Sequence, residues 1–199
     1  ISHIVLCTNL AAAAGAMVAA VYTWFRVGKP DLGLTCNGTL AGLVAITAPC
    51  AYVSGSSALL IGAVAGVLVV EGVLFFDRLE LDDPVGATSV HLLNGVFGTL
   101  AVGLLGDVEI AKRIAGVDLE SAGLLLGGGT AQLVAQARGV LSVGVFAFGI
   151  SSLVWWLLKR TVGIRVSADA EAMGLDQSEM GMEAYPDDMT RSAFSHAES

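Results

Sequence analysis

The sequence predicts an all-α integral membrane protein with about five transmembrane helices. Of its 199 residues, 55% are hydrophobic and 14% are charged, whereas soluble domains carry about 25% charged residues. The apolar residues lie in blocks of about twenty, which is the length that a helix needs to cross the hydrocarbon core of a bilayer. Glycine is frequent, with 25 residues, and small residues allow helices to pack closely in membranes.

The first three predicted spans cover about residues 4–25, 32–53 and 56–76. Glu71 is an acidic residue inside the third span, and we expect it to reach the nearby interface or to pair with Arg78. Each span contains small residues spaced four apart, a pattern typical of helix packing in membranes. These rows are Ala11/Gly15/Ala19, Gly38/Gly42 and Gly62/Gly66.

The fourth span, about residues 85–105, follows Asp82, Asp83 and Pro84. Proline suits the first position of a helix, and the two acids suit the positive end of the helix dipole. His91 is the single titratable side chain of this span, and it lies about 10 Å into the helix, within the hydrocarbon region. A polar group there is costly and indicates a function. The alternative is a structural hydrogen bond from the imidazole to a neighbouring helix.

The fifth predicted span covers about residues 130–158, so the membrane region is 1–160 and the remaining tail is 161–199. Residues 167–199 contain eight acidic residues and one basic residue, whereas the rest of the chain is nearly neutral. The negative charge of the protein therefore belongs to the tail, which is too polar to form a core of its own.

The basic residues of the short loops are distributed unevenly between the two predicted sides of the membrane. Cytoplasmic loops carry an excess of lysine and arginine, so this distribution predicts that the acidic tail is cytoplasmic. The richer side has Arg26, Lys29, Arg78, Lys159, Arg160 and Arg165, and the other has Lys112, Arg113 and Arg138.

The three cysteines, Cys7, Cys36 and Cys50, lie in apolar blocks without the spacing of a metal site. The sequence contains no HExxH or GxSxG motif and no pair of acids within one span. We therefore expect no bound metal, no cofactor, no enzymatic activity and no nucleic-acid partner.

Three runs of sequence resemble the C-terminal half of the ammonium transporter (Amt/Mep/Rh) family. They are GKPDLGLTCNGTLAGLVAITAPCAYV (28–53), FFDRLELDDPVGATSVHLLNGVFGTLAVGL (75–104) and GLDQSEMGMEAY (174–185). The runs occur in the order in which that family has them. The resemblance implies the second half of an eleven-helix inverted repeat, a homotrimer, and a separate pore in each protomer.

The resemblance also implies a function for the fourth span. His91 looks like the second of two histidines that lie side by side in an otherwise apolar pore, the first coming from the other half of the repeat. Ammonium and ammonia would then cross the cell membrane through a hydrophobic pore, with the proton and ammonia travelling partly apart. The residues expected to have structural or gating roles near this pore are Asp82, Asp83, Pro84, Asn94 and Thr47.

In the tail, Gly174, Asp176, Gly181 and Tyr185 match recurring letters of the family. The resemblance implies a regulatory tail that couples subunits and adjoins the docking surface of a PII-type signal protein. From composition alone, a disordered solubilising tail is the alternative. Three positions depart from the family pattern, namely Leu92, Gly86 and Met180.

Two alternatives to transport remain open at this stage. The first is a sensor of ammonium with the same fold, and the second is a non-conducting fragment of a transporter. In a chain of only five such spans, we expect the faces built from Gly38/Gly42, Gly62/Gly66 and Gly95 to meet lipid, where small residues gain no packing partner.

Overall fold

The computed structural model describes residues 1–182, and the regular structure in that range is entirely helical. Ile1–Val145 forms one compact unit, and a second unit begins at Phe146. The α-helices are α1 (Ser2–Val27), α2 (Leu32–Thr47), α3 (Gly55–Arg78), α4 (Asn94–Leu105), α5 (Val108–Ile110), α6 (Ala131–Thr161), α7 (Ala168–Met173) and α8 (Leu175–Met180). A π-helical turn, Thr88–Leu93, runs directly into α4, a second follows α5 at Ala111–Ala115, and a 3-10 turn covers Leu124–Leu126.

Four helical segments of the described chain are long and apolar enough to cross a membrane. They are α1, α3, α6 and the continuous segment Thr88–Leu105. Helix α2 is apolar but has only 16 residues, which corresponds to about 24 Å at 1.5 Å per residue.

Helix α1 packs against both α2 and α3 through small residues. Ala11, Gly15 and Ala19 are buried along one face of α1. A Cβ atom on Gly42 of α2 or on Gly62 of α3 would overlap the backbone of Ala11, so the three helices approach at backbone distance. The glycine rows are therefore packing faces within this chain, and the expectation that they meet lipid is wrong.

Proline ends α2 earlier than the sequence analysis predicts. The helix stops at Thr47, and residues 48–53 continue as turns instead of completing a helix over 32–53. Pro49 has no N–H to donate to the carbonyl of Ala45. The structure places Gly98 of α4 against this carbonyl, so closely that a Cβ on Gly98 would overlap the oxygen. The freed carbonyl thus lies at a close helix–helix contact.

Glu71 lies in α3 but pairs with α1. Its Oε1 accepts a hydrogen bond from Tyr22 Oη at 2.8 Å and from Arg26 Nε at 2.9 Å. The expected partner, Arg78, forms no ion pair within the described residues. The expected pairing with Arg78 is not found, because α1 and α3 run side by side in the same direction and their packing brings Arg26 close to Glu71 in space.

The connection between α4 and α6 contains the short helix α5, a π-helical turn and a 3-10 turn, none of which is long enough to cross a membrane. Asp107 caps α5 by accepting a hydrogen bond from the backbone N–H of Ile110 at 3.0 Å. The backbone N–H of Asp107 donates to the carbonyl of Tyr52 at 2.7 Å. This bond ties the start of the connection to the turn that follows α2.

The second unit contains the end of α6 and the two short helices α7 and α8. Ser167 caps α7 by accepting from the backbone N–H of Ala170 at 3.2 Å. Arg165 forms a two-point contact with the carboxylate of Glu171, with N–O distances of 2.7 and 3.0 Å from Nη2. Part of the predicted acidic tail is therefore helical, although α7 and α8 have only six residues each.

Candidate functional site

The segment before the histidine-bearing helix is fixed by Asp83. Its two carboxylate oxygens accept from the backbone N–H groups of Ala87 and Thr88 at 2.7 and 2.8 Å. The carboxylate thereby satisfies donors that the first turn of a helix leaves free. Pro84 lies in the turn before the helix and not at the first helical position, which corrects the expectation for this residue. The reason is that the carboxylate of Asp83 caps a helix that begins only at Ala87, four residues after Asp83, so Pro84 precedes the helix.

Gly86 and Asp82 lie in the same turn. Gly86 has a φ of +71°, a left-handed conformation that favours glycine. This backbone conformation explains why glycine occupies position 86, one of the three positions that depart from the family pattern. Asp82 is exposed, and its side chain makes no hydrogen bond within residues 1–182.

His91 lies in the π-helical turn, with its side chain exposed in this chain. The following residue, Leu92, is 62% exposed. The imidazole makes no hydrogen bond to any of the described residues, so the structural alternative, a hydrogen bond to a neighbouring helix of this chain, is not found there. His91 and Leu92 thus place one polar and one apolar side chain on a face of the first unit that the rest of the described chain does not cover.

Asn94 follows the π-helical turn and is fully buried. Its Nδ2 donates to the carbonyl of Ser89 at 2.8 Å. Its Oδ1 and the hydroxyl of Ser89 are buried without a hydrogen-bond partner in the described part of the chain. Asn94 is therefore close to His91 in sequence but does not lie on the same exposed surface.

Thr47 is not at the level of His91. Asn37 of α2 donates to the carbonyl of Val85 at 3.1 Å, and further along, Ala45 of α2 meets Gly98 of α4. Because α2 and the histidine-bearing helix run in the same direction between these two contacts, His91 lies at a level between Asn37 and Ala45. Thr47 is exposed beyond that level, where its hydroxyl donates to the carbonyl of Leu43 at 2.7 Å.

An open, acid-lined cavity of about 420 Å³ lies at the end of the unit where α2 and the histidine-bearing helix begin. Asp31, Asp77 and Asp83 contribute carboxylates to its lining, and Asn37 contributes an amide. Two of these acids also cap helices, because Asp31 accepts from the backbone N–H of Leu34 at 2.8 Å. The cavity therefore combines negative charge with a fixed backbone geometry.

The tail residues belong to the second unit. Gly174, with a φ of +96°, starts α8, and Gly181, with a φ of +64°, ends it. Asp176 lies in the first turn of α8, where an acidic side chain is favoured by the helix dipole. Tyr185, the fourth predicted tail residue, lies outside the described residues.

Sequence reasoning missed the roles of Asn37, Ser89 and Tyr22. Asn37 joins α2 to the turn at Val85, Ser89 supplies the carbonyl that Asn94 binds, and Tyr22 binds Glu71. Tyr22 and Arg26 are four residues apart on one helix, and this spacing places both on one face. That spacing is the signal that could have identified them as partners of an acid on another helix.

The cap at Asp83 predicts a pH-dependent stability. Burial disfavours its charged form, but hydrogen bonds from the backbone N–H groups of Thr88 and Ala87 outweigh burial and lower its pKa below the ordinary value of 3.8. The stabilisation is therefore present above pH 3.8 and is lost as the pH falls through the lower pKa of the folded state. We expect Asp83→Ala to lower the thermal unfolding temperature at pH 7, and this difference from wild type should shrink as the pH falls below 3.8.

Thermal unfolding of the purified full-length protein at a series of pH values tests this prediction. Asp82→Ala is the matched control, because this adjacent acid is exposed and caps no helix in the described chain. Equal effects of the two substitutions at pH 7 would contradict the role of Asp83 as the cap.

Comparison with protein families supports the resemblance seen in the sequence. Residues 2–185 match the model of the Ammonium Transporter Family. The ammonium transporter Amt2 of Archaeoglobus fulgidus is 44% identical over 179 residues, which are 90% of this chain and 38% of that protein. An ammonium transporter of Mycobacterium bovis is 41% identical over 175 residues, or 85% of this chain and 36% of that protein. The chain thus spans less than two fifths of the length of these relatives.

Solved structures have the same fold as this chain. The crystal structure of Candida albicans Mep2 matches with a TM-score of 0.77 and 29% identity, covering 84% of this chain and 37% of that chain. A structure described as a sensor Amt protein matches with a TM-score of 0.76 and 32% identity, covering 89% of this chain and 42% of that chain. Since the family model matches nearly the whole described chain and the fold agrees, the chain belongs to the Ammonium Transporter Family.

Proposed function

We propose that this chain forms one wall of a membrane pore that conducts ammonium as ammonia and a proton, with His91 as the residue that contacts the substrate. The observation that carries the proposal is the exposed imidazole of His91 on an otherwise uncharged helix. The relatives named as ammonium transporters support the substrate class. A second histidine from the other half of the protein would complete the paired centre.

The physical argument starts from the cost of charge in an apolar pore. Ammonium is a cation, and transferring an ion from water into a low-dielectric medium is costly, whereas neutral ammonia avoids most of this penalty. Removing the proton before passage is therefore the route of lower free energy. A neutral imidazole has one nitrogen that donates and one that accepts a hydrogen bond. It can hold ammonia at one nitrogen and exchange a proton at the other.

The acid-lined cavity supports the same proposal. Asp31, Asp77 and Asp83 lie at the end of the unit from which the helix of His91 starts. Carboxylates that line a cleft raise the local concentration of cations. We propose that this cavity is the cytoplasmic mouth of the pore, where ammonium is released or recruited.

We extend the proposal to the assembly and its setting. The full-length protein is a homotrimer in the cell membrane, and its tail is cytoplasmic, in agreement with the distribution of basic residues. Gly174, Asp176, Gly181 and Tyr185 belong to a surface that meets a PII-type protein. The mass of the detergent-solubilised protein tests the trimer, labelling of a cysteine at Ser167 tests the orientation, and co-purification with a PII-type protein tests the partner.

The central experiment replaces His91 by alanine in the full-length protein and measures ammonium and potassium flux in proteoliposomes. Losing a hydrogen-bond partner of a charged or partly charged substrate costs about 1.5–3 kcal/mol, and 1.4 kcal/mol corresponds to about tenfold. We therefore expect discrimination between ammonium and potassium to fall about tenfold or more. Folding should be retained, because the imidazole makes no hydrogen bond within the described chain.

His3→Ala is the matched control. His3 also lies in an apolar helix, but its Nε2 is 3.0 Å from the carbonyl oxygen of Val53. Its loss should lower stability and leave the discrimination unchanged. If His91→Ala retains the flux and the discrimination of the wild type, the proposed role of His91 is wrong.

A sensing function is a second candidate, favoured by the match to the structure described as a sensor Amt protein. A sensor requires ammonium binding to change the state of the protein, but it does not require rapid flux. Negligible flux together with ammonium-dependent protection of the tail from proteolysis would favour sensing over transport.

A further inference from the structure

The helix that carries His91 is irregular at the position of the histidine. Residues Thr88–Leu93 form a π-helical turn and α4 continues from Asn94. In a π-helix each backbone N–H reaches the carbonyl five residues earlier, so the turn accommodates one more residue than an α-helical turn. π-Helices occur mostly as single turns within α-helices, and these turns are frequent at functional sites. The direction in which the imidazole leaves the helix therefore depends on this turn.

Asn94 closes the turn with both its side chain and its backbone. Its Nδ2 donates to the carbonyl of Ser89 at 2.8 Å, and its backbone N–H donates to the carbonyl of His91. In a regular α-helix the carbonyl of Ser89 would be the acceptor for the backbone N–H of Leu93, four residues later. In this turn the amide of Asn94, five residues later, occupies that acceptor.

The burial of Asn94 indicates that this bond is its main contribution. The side chain is fully buried, yet its Oδ1 has no partner within residues 1–182. A buried polar atom without a partner is destabilising, and leucine has the same branched shape without a polar atom. The favourable contact that the structure gives this side chain is the bond from Nδ2 to the carbonyl of Ser89.

Helix α3 leaves space for the turn at Gly72. A Cβ on Gly72 would lie 3.0 Å from the hydroxyl oxygen of Ser89 and 2.9 Å from Cδ2 of Leu93, and both distances are too short for ordinary contacts. The π-helical turn is therefore accommodated by a glycine on one side and closed by Asn94 within the helix.

From this geometry we propose that Asn94 is a positioning residue for His91. Its amide holds the π-helical turn, and the turn directs the imidazole toward the pore. If the turn became α-helical, one residue would be lost from it, and the segments on its two sides would rotate relative to each other by about 100°. The proposal rests on the proposed function, because it assigns the direction of a side chain that acts in the pore.

The test uses the full-length protein in proteoliposomes and two substitutions of Asn94. Asn94→Leu removes the donor and retains the branching of the side chain at Cγ. Asn94→Asp retains a donor to the carbonyl of Ser89 only while its carboxyl is protonated, and burial favours that neutral form. Thr99→Val is the matched control, because Thr99 Oγ1 donates to the carbonyl of Gly95 at 2.9 Å in the regular part of the same helix.

Two measurements are made on each variant. The first is the pH profile of ammonium flux relative to potassium flux, and the second is the titration of the His91 imidazole followed by nitrogen NMR of labelled histidine. The NMR measurement reports on the surroundings of the imidazole without relying on transport. Thermal unfolding shows whether each variant is folded under the conditions of the assay.

We expect Asn94→Leu to lower the discrimination about tenfold and to shift the titration of His91, with Thr99→Val unchanged in both. Asn94→Asp should resemble wild type at low pH and Asn94→Leu at high pH, a dependence that simple filling of the core would not produce.

A folded Asn94→Leu with the wild-type pH profile and the wild-type His91 titration would overturn the proposal. Loss of folding in both Asn94 variants, with Thr99→Val folded, would assign Asn94 to core stability and also overturn it. An unchanged flux in His91→Ala would instead refute the proposed function, so the two failures are distinguishable.

Discussion

Replacing Gly62 by alanine is expected to prevent the first three helices from packing in their native arrangement. The added Cβ would lie 2.6 Å from Cα and 2.7 Å from the carbonyl carbon of Ala11, and it would also overlap the carbonyl oxygen. These are backbone atoms, so no side chain can rotate away, and α1 and α3 must separate. Forcing extra volume into a packed core costs about 1–3 kcal/mol and sometimes more, and we expect an effect at or above the upper end of this range.

Thermal unfolding of the detergent-solubilised full-length protein, with the yield of folded protein, measures this effect. Gly144→Ala is the matched control, since Gly144 also lies within a helix, and a Cβ there would have no described atom within 4 Å. Alanine is a better helix former than glycine by about 0.8–1.0 kcal/mol in a helix interior, so this control should be neutral or stabilising. Equal unfolding temperatures for the two variants would contradict the backbone contact between α1 and α3.

The membrane helices and their packing faces were predictable from the sequence. Blocks of apolar residues determine where helices can cross a bilayer, and the four-residue spacing of Ala11, Gly15 and Ala19 determines which face of α1 can approach another helix. The partner of each face could not be predicted in the same way. A glycine row does not indicate whether a helix of the same chain, another half of the protein or lipid covers it.

The sequence proposes the residues of the candidate site but determines their geometry only in part. An uncharged helix with one histidine makes His91 the candidate without any structure, and its role stays a prediction. The choice between Asp82, Asp83 and Pro84 as the start of the helix depends on which backbone N–H groups a carboxylate reaches. That geometry requires the positive φ of Gly86, so the sequence pattern alone did not determine it.

The π-helical turn had no signal in the hydrophobic pattern. Periodicity predicts helices from the spacing of apolar residues, and one additional residue in a turn changes that spacing too little to detect in an entirely apolar segment. The turn depends on the amide of Asn94 reaching the carbonyl of Ser89 and on the space at Gly72. The last of these is a tertiary contact with a helix that precedes the turn in the chain.

Removing the positive charge of Arg26 is expected to destabilise the packing of α1 on α3. Arg26→Ala leaves the carboxylate of Glu71 without its cation in an apolar helix, where only Tyr22 still donates to it. The side chains of Arg26 and Glu71 are 46% and 40% exposed in this chain. An exposed ion pair contributes little to stability, and a pair that is partly buried contributes more. We therefore expect Arg26→Ala to unfold at a lower temperature than the wild type.

A double-mutant cycle separates the pair from other effects of the substitutions. Glu71→Gln retains an acceptor for Tyr22 and carries no charge, so its cost should be smaller than that of Arg26→Ala. The double variant should be no less stable than Arg26→Ala alone, because the uncompensated carboxylate is absent. Arg78→Ala is the control, since Arg78 is nearer to Glu71 in sequence but forms no ion pair in the described chain. If Arg78→Ala destabilises the protein as much as Arg26→Ala does, the carboxylate of Glu71 is stabilised by long-range attraction and not by its contact with Arg26.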